Sequence, residues 1–165
     1  MRVLLDTSYF MPLIKVQVKD IPASILQNLL SNPRVEIHYC DITLFELAAK
    51  AMHLIVSGEP IDIHDVRIGI DAIENETRFE RDQWTKHPYI LELTASFRKI
   101  HTDFIDCLIL ATAVCYAEAF ATLDNEIYQK ILKEPSIIHQ ILDINAQFQF
   151  WFGDLSKTPI MLEES

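Results

Sequence analysis

Four acidic residues stand where short apolar runs end or apolar helices begin. Asp6 closes Val3-Leu4-Leu5, and Thr7-Ser8 follow it. Glu46 lies at the head of Leu44-Phe45-Glu46-Leu47-Ala48-Ala49, and Asp106 at the head of Ile105-Asp106-Cys107-Leu108-Ile109-Leu110-Ala111-Thr112-Ala113. Asp124 ends Ala119-Phe120-Ala121-Thr122-Leu123. Carboxylates that converge without basic partners repel one another. Such a cluster persists mainly when divalent cations neutralise it, and hard oxygen donors suit Mg²⁺ or Mn²⁺. Two such ions roughly 4 Å apart can activate a water and stabilise the leaving oxygen of an in-line displacement. The pattern therefore implies metal-assisted phosphodiester chemistry. Thr7, Ser8 and Thr122 sit beside the acids, where their hydroxyls could orient a carboxylate or a metal-bound water, or could equally form turns.

Each acid also has a local explanation. Thr43-Leu44-Phe45-Glu46 matches a capping box, in which the glutamate satisfies a helix N–H. Asp103 suits an N-cap with Asp106 in the first turn of the same helix; capping is favoured for Asp103 over help with a metal. Asp6-Thr7-Ser8 favours a turn, and Asp124-Asn125 suits a cap. Taken jointly, the four still point to a site, because separate caps have no reason to meet at one sheet edge.

Other chemistries find little support. Cys40, Cys107 and Cys115 form no C-x-x-C pair, and the last two lie in a strongly apolar helix, where a thiol acts as a small hydrophobe. The six histidines (38, 53, 64, 87, 101 and 139) show no ligand spacing and read as structural. No Ser-His-Asp or Cys-His arrangement suggests a protein nucleophile. Asp6-Thr7-Ser8 is not the D-x-D at a first strand that haloacid-dehalogenase-like phosphohydrolases require.

The elements that must position the acids alternate. Residues 2–5 read as a buried parallel strand, 21–31 as a helix stopped by Asn32-Pro33, 34–40 as a strand, and 43–57 as a helix closed by Ser57-Gly58. Residues 61–102 carry two or three helices and no clear strand. A nearly all-apolar helix at 103–118 should be covered on most sides. A strand at 119–123, a helix at 125–134 and a last strand at 136–144 complete the order. The order β-α-β-α, helical insert, α-β-α-β predicts a central parallel sheet with helices on both faces, an α/β/α fold. In such sheets ligands sit beyond the strand C-termini, near the point where strand order reverses.

With 165 residues, half of them apolar, the chain reads as a single domain over 1–165, with a core at about 2–144 and a tail at 145–165. No apolar run approaches the ~18 residues of a membrane span, and the first apolar stretch is too short for a signal peptide, so the expected location is the cytoplasm. The net charge of −10 argues against sequence-blind nucleic-acid binding through broad basic surfaces. Metal ions at the acids, a dimer groove, or a short basic patch drawn from Arg78, Arg81, Lys86, Arg98 and Lys99 would ease that tension. In the tail, Phe148, Phe150 and Phe152 recur at period two beside Trp151, as an edge strand over the core or as a contact surface.

The string Leu4-Leu5-Asp6-Thr7-Ser8, the Phe45-Glu46-Leu47 helix start, Asp106-Cys-Leu-Ile-Leu-Ala-Thr-Ala113 and Thr122-Leu-Asp124 resemble the signature of the PIN-domain family. The likeness is to the VapC-type toxins of bacterial and archaeal toxin–antitoxin pairs, and it spans residues 2 to about 144. It implies a three-layer fold, Mg²⁺- or Mn²⁺-dependent endoribonuclease activity on RNA, a homodimer, and a small antitoxin that blocks the acidic pocket. The family's four acids map onto Asp6, Glu46, Asp106 and Asp124. A second expectation is a scaffold of the same fold that keeps its acids but binds within an RNA-processing or translation-associated assembly.

Overall fold

The computed structural model describes residues 1–19 and 21–163. Six strands form one sheet: β1 (Arg2–Leu5), β2 (Glu36–Cys40), β3 (Phe79–Asp82), β4 (Ala119–Thr122), β5 (Gln149–Phe152) and β6 (Ile160–Met161). Their spatial order is β3-β2-β1-β4-β5-β6. The neighbours from β3 to β5 pair in parallel, and β6 returns antiparallel to β5. The helices are α1 (Ile25–Leu30), α2 (Ile42–Val56), α3 (Ile63–Asn75), α4 (Ile90–Phe97), α5 (Phe104–Tyr116), α6 (Asn125–Ile131) and α7 (Pro135–Ile144). Two 3-10 turns, Thr7–Tyr9 and Met11–Ile14, follow β1.

Strand alternation divides the core into two layers. Leu4, Cys40, Phe120 and Phe150 point to one face, where α4, α5, α6 and α7 cover them. Val3, Leu5, Ile37, Tyr39, Ala119 and Ala121 point to the other, where the 3-10 turns, α1, α2 and α3 pack. This is the three-layer α/β/α arrangement. The run Cys107 to Val114 of α5 is buried throughout, which explains why its sequence shows no polar stripe. Gly69 lets α3 lie directly on the Met11–Ile14 turn: a Cβ there would come within 2.6 Å of Ile14 Cγ2 and 2.7 Å of the Leu13 carbonyl oxygen.

Three expectations need correction. The middle segment contains a strand, β3, because Phe79-Glu80-Arg81-Asp82 is an edge strand that needs little apolar content to pair with β2. Residues 135–144 form a helix rather than a strand: Pro135 sits in its first turn, and Ile137, Ile138 and Ile141 are buried at helical spacing. The aromatic tail is not an edge strand. It supplies β5, an inner strand between β4 and β6, and Phe148 and Phe150 are fully buried. Among the described residues no helix is long and apolar enough to cross a membrane.

Strand order reverses between β1 and β4, whose outward connections run to opposite sides of the sheet. The C-terminal ends of these two strands open onto the crevice where the fold's ligand position is expected. Asp6 follows one end and Asp124 lies just beyond the other.

Candidate metal centre

Asp6 leaves β1 with its backbone N–H still donating to the Ala121 carbonyl at 2.9 Å, so it is tied to β4. Its carboxylate caps the first 3-10 turn: Oδ1 accepts from the Thr7 N–H at 2.7 Å. Oδ2 accepts from Ser8 Oγ at 2.9 Å and from Thr122 Oγ1 at 3.3 Å. The Thr122 hydroxyl also accepts from the Asp124 N–H at 3.0 Å. One hydroxyl thus links the acid after β1 to the acid after β4. Ser8 and Thr122 both orient the Asp6 carboxylate, and Thr7 turns its own hydroxyl elsewhere.

The Thr7 Oγ1 hydroxyl donates to Glu46 Oε2 across the layer formed by α2. Glu46 is only 7 % exposed and lies one turn into α2, so it does not form the capping box that its spacing suggests. The helix begins after Asp41 without a side-chain cap, and the Thr43 hydroxyl is buried with no partner. The other oxygen of Glu46, Oε1, meets Lys50 Nζ at 2.6 Å.

From the opposite layer, α5 brings Asp106. Asp103 caps this helix through Oδ1, which accepts from the N–H groups of Ile105 at 2.8 Å and Asp106 at 3.2 Å. Asp103 is therefore a cap, as favoured, and Asp106 faces the crevice. Asp124 caps α6 with Oδ1, accepting from Glu126 N–H at 2.7 Å and Ile127 N–H at 3.2 Å, while its Oδ2 lies 4.0 Å from His101 Nε2. His101 Nε2 is 3.2 Å from Asp106 Oδ2.

The four acids therefore gather at one edge. Asp6, Glu46 and Asp106 each place an oxygen within 4.8 Å of the others, and His101, Asp106 and Asp124 do the same with a ring nitrogen and two carboxylate oxygens. Asp106 belongs to both trios. An open pocket of about 320 Å³ lies over them, lined by Asp6, Lys50, Asp106, Phe120, Thr122 and Asp124 among others. A larger cleft, about 520 Å³, lies between α4 and α7 and contains none of the four.

Electrostatics records the crowding. Burial pushes the Asp6 carboxyl up to about 6, with the charges of Glu46 and Asp106 adding to the effect and Lys50 and Ser8 opposing it. Burial also raises Asp106; the His101 hydrogen bond offsets part of this, and Asp103 and Glu46 push it up again. Burial alone would lower the Lys50 ammonium, but the hydrogen bond and charge of Glu46, with Asp6 and Asp106 behind it, hold it above its ordinary value. Carboxyls held above their normal range by burial and by one another are repelling groups whose charged forms a bound cation would favour.

The sequence did not reveal two members of this group. Lys50 carries a positive charge among the acids; the signal was available, since Glu46 and Lys50 are spaced i,i+4 on one helix face. His101 reads as structural from spacing alone, and only the turn between α4 and α5 brings it to Asp106. Its Nδ1 is buried without a partner. A neutral His101 therefore does best with its proton on Nε2, donating to Asp106, because a proton on Nδ1 would be a buried donor with no acceptor. On that tautomer His101 Nε2 orients the Asp106 carboxylate and has no lone pair for a metal.

The donor set fits a hard divalent ion. Asp6, Glu46 and Asp106 offer only oxygens, their charges are incompletely compensated, and the pocket above them admits water. Compared with models of known protein families and with curated proteins, the chain matches none.

Proposed function

We propose that the chain is a metal-dependent endoribonuclease of the PIN-like type, cleaving RNA phosphodiester bonds at the Asp6–Glu46–Asp106–Asp124 edge. The observation that supports this reading is the convergence of three carboxylates from β1, α2 and α5, with Asp124 beside them, at the strand-order reversal of a three-layer sheet. Asp6, Glu46 and Asp106 would hold Mg²⁺ or Mn²⁺, and Asp124 a further ion or its water. Such an ion supplies an activated water at neutral pH and charge stabilisation at the phosphate. The chain's own residues do the rest. Ser8 and Thr122 fix the rotamer of Asp6, and Thr7 fixes Glu46. His101 holds Asp106, and Lys50 is the one cation among the residues lining the pocket. The role of toxin, a small antitoxin that covers the acidic pocket, and a homodimer belong to this proposal through the family resemblance.

The second reading is a scaffold that binds within an RNA-processing or translation-associated assembly without cutting. The net charge of −10 favours it, because a strongly acidic surface recruits RNA poorly. One experiment separates the two. A mixed RNA pool is incubated with wild type and with Asp106→Asn, in Mg²⁺, in Mn²⁺ and in EDTA. The nuclease reading expects cutting that needs metal and disappears in the variant. Equal cutting by both proteins would move the activity away from this site, and metal binding without any cutting would favour the scaffold.

A further inference from the structure

Each oxygen of Glu46 already has a partner in this structure. Oε2 takes the Thr7 hydroxyl and Oε1 takes Lys50 Nζ at 2.6 Å. A metal ion that uses Glu46 would share an oxygen with one of these two partners, and only one of them, the ammonium, repels it. Thr7 is fully buried, and its N–H is bonded to Asp6, so its hydroxyl is held in place from both sides. Lys50 is different. Its side chain is 45 % exposed, reaches Glu46 on a flexible stem, and can pass into water without leaving a buried donor unpaired. The ammonium also lines the same pocket as Asp6, Asp106 and Asp124, so it occupies the region a cation would enter.

From this we infer that Lys50 is a resident cation: it stands in for a divalent ion at the Asp6–Glu46–Asp106 half of the site and is displaced from Glu46 when the ion binds. The inference rests on the metal-site reading above and adds how that site is regulated. In the metal-free protein the ammonium relieves part of the repulsion among the carboxylates, which keeps the site assembled. The same charge opposes metal entry, because the ion must overcome the Lys50–Glu46 pair and the repulsion of a neighbouring cation. Displacement turns the ammonium loose in the pocket mouth, where it is the only positive charge among the lining residues and the natural contact for a phosphate oxygen. Metal binding and phosphate binding would then favour one another, by the reciprocity that any such coupling obeys.

The simplest rival is an i,i+4 pair that only supports α2. Such pairs stabilise a helix by roughly 0.2–0.5 kcal/mol and carry no implication for a metal. The two differ in sign. Mn²⁺ binding to the full-length chain is measured by isothermal titration calorimetry for wild type, Lys50→Met, Lys50→Gln and Lys50→Arg, with folding checked by circular dichroism. The resident cation predicts that Met and Gln tighten Mn²⁺ binding by about 3- to 10-fold, while Arg stays near wild type. Unchanged or weaker binding in both neutral variants overturns it, even if they melt at a lower temperature. If wild type binds no Mn²⁺ at millimolar concentration, this inference and the metal-site reading fall together. If wild type binds Mn²⁺ but cuts no RNA, the nuclease reading falls while the comparison among the Lys50 variants still decides this one.

Discussion

Replacing Asp6 by Asn should make the metal-free protein more stable at pH 8. The Asp6 carboxyl is pushed from 3.8 up to about 6 by burial and by its acidic neighbours, so the fold holds its charged form at a cost. The gap between those values corresponds to about 3 kcal/mol, an upper bound because the charged form also accepts three hydrogen bonds. An asparagine keeps the acceptor for the Thr7 N–H. It turns the other position into a donor, which the Ser8 and Thr122 hydroxyls can accept by rotating. The expected gain is about 1–3 kcal/mol. The sign with pH follows directly. A carboxyl raised in the folded state contributes stability that is complete below 3.8 and is lost as pH rises through about 6, so the advantage of the variant should appear over that interval and be absent near pH 4. Urea unfolding of both proteins in EDTA, at several values between pH 4 and 8, measures it. Mn²⁺ should then stabilise wild type and leave the variant nearly unmoved. A variant that is less stable at pH 8, or a gain that does not depend on pH, would refute the claim that Asp6 is electrostatically strained.

Three further outcomes follow from other parts of the molecule. His38 on β2 lies 2.9 Å from Asp82 on β3 and 3.4 Å from Glu36. Burial alone would lower its imidazole, but the bond and charge of Asp82, with Glu36, hold it above 6.5. The pair should therefore contribute full stability below 6.5 and lose it as pH rises through the folded value; a histidine NMR titration in wild type and Asp82→Asn should show the raised value only in wild type. Gly69→Ala should destabilise by about 1–2 kcal/mol in urea unfolding, because the added Cβ at 2.6 Å from Ile14 Cγ2 outweighs the better helix propensity; a more stable variant would mean α3 does not lie so close to the turn. Asp124→Ser should keep the α6 cap and leave stability within about 0.5 kcal/mol, yet weaken Mn²⁺ binding, measured by calorimetry, by about tenfold or more.

The strands and helices that hold the site were readable because each is apolar in a way that only one geometry satisfies. Val3-Leu4-Leu5 and Ala119-Phe120-Ala121 are buried on both faces, as parallel strands between two helical layers must be. The failures have different causes. β3 is on the sheet edge and needs only its hydrogen bonds to β2, so its composition of Phe79, Glu80, Arg81 and Asp82 carries no strand signal. Ile137-Ile138 and Ile141 in α7 are β-branched, which favours a strand locally, but Pro135 and the packing against α4, α5 and α6 decide for a helix. The tail was legible in its alternation and misplaced in its role. Period two correctly marks the strand at Gln149–Phe152, while nothing in the sequence says whether a strand will lie inside a sheet or at its rim.

The site shows where reading by residue stops short. A cap and a metal ligand look like rival roles for an acid only when the residue is the unit. Each carboxylate has two oxygens, and Asp124 spends one on the N–H groups of Glu126 and Ile127 while the other faces His101. Asp6 likewise caps the turn after β1 with Oδ1 and presents Oδ2 to Ser8 and Thr122 at the crevice. The local signals at both positions were therefore correct and incomplete together. Glu46 is the opposite case: its spacing to Thr43 matches a cap that does not form, and both of its oxygens serve the site through Thr7 and Lys50. Capping fixes a carboxylate's backbone and one oxygen, and so leaves the second oxygen aimed with little freedom. A fold that must hold several like charges together gains from using caps for that purpose, because the helix N-terminus offsets part of the repulsion while it sets the direction.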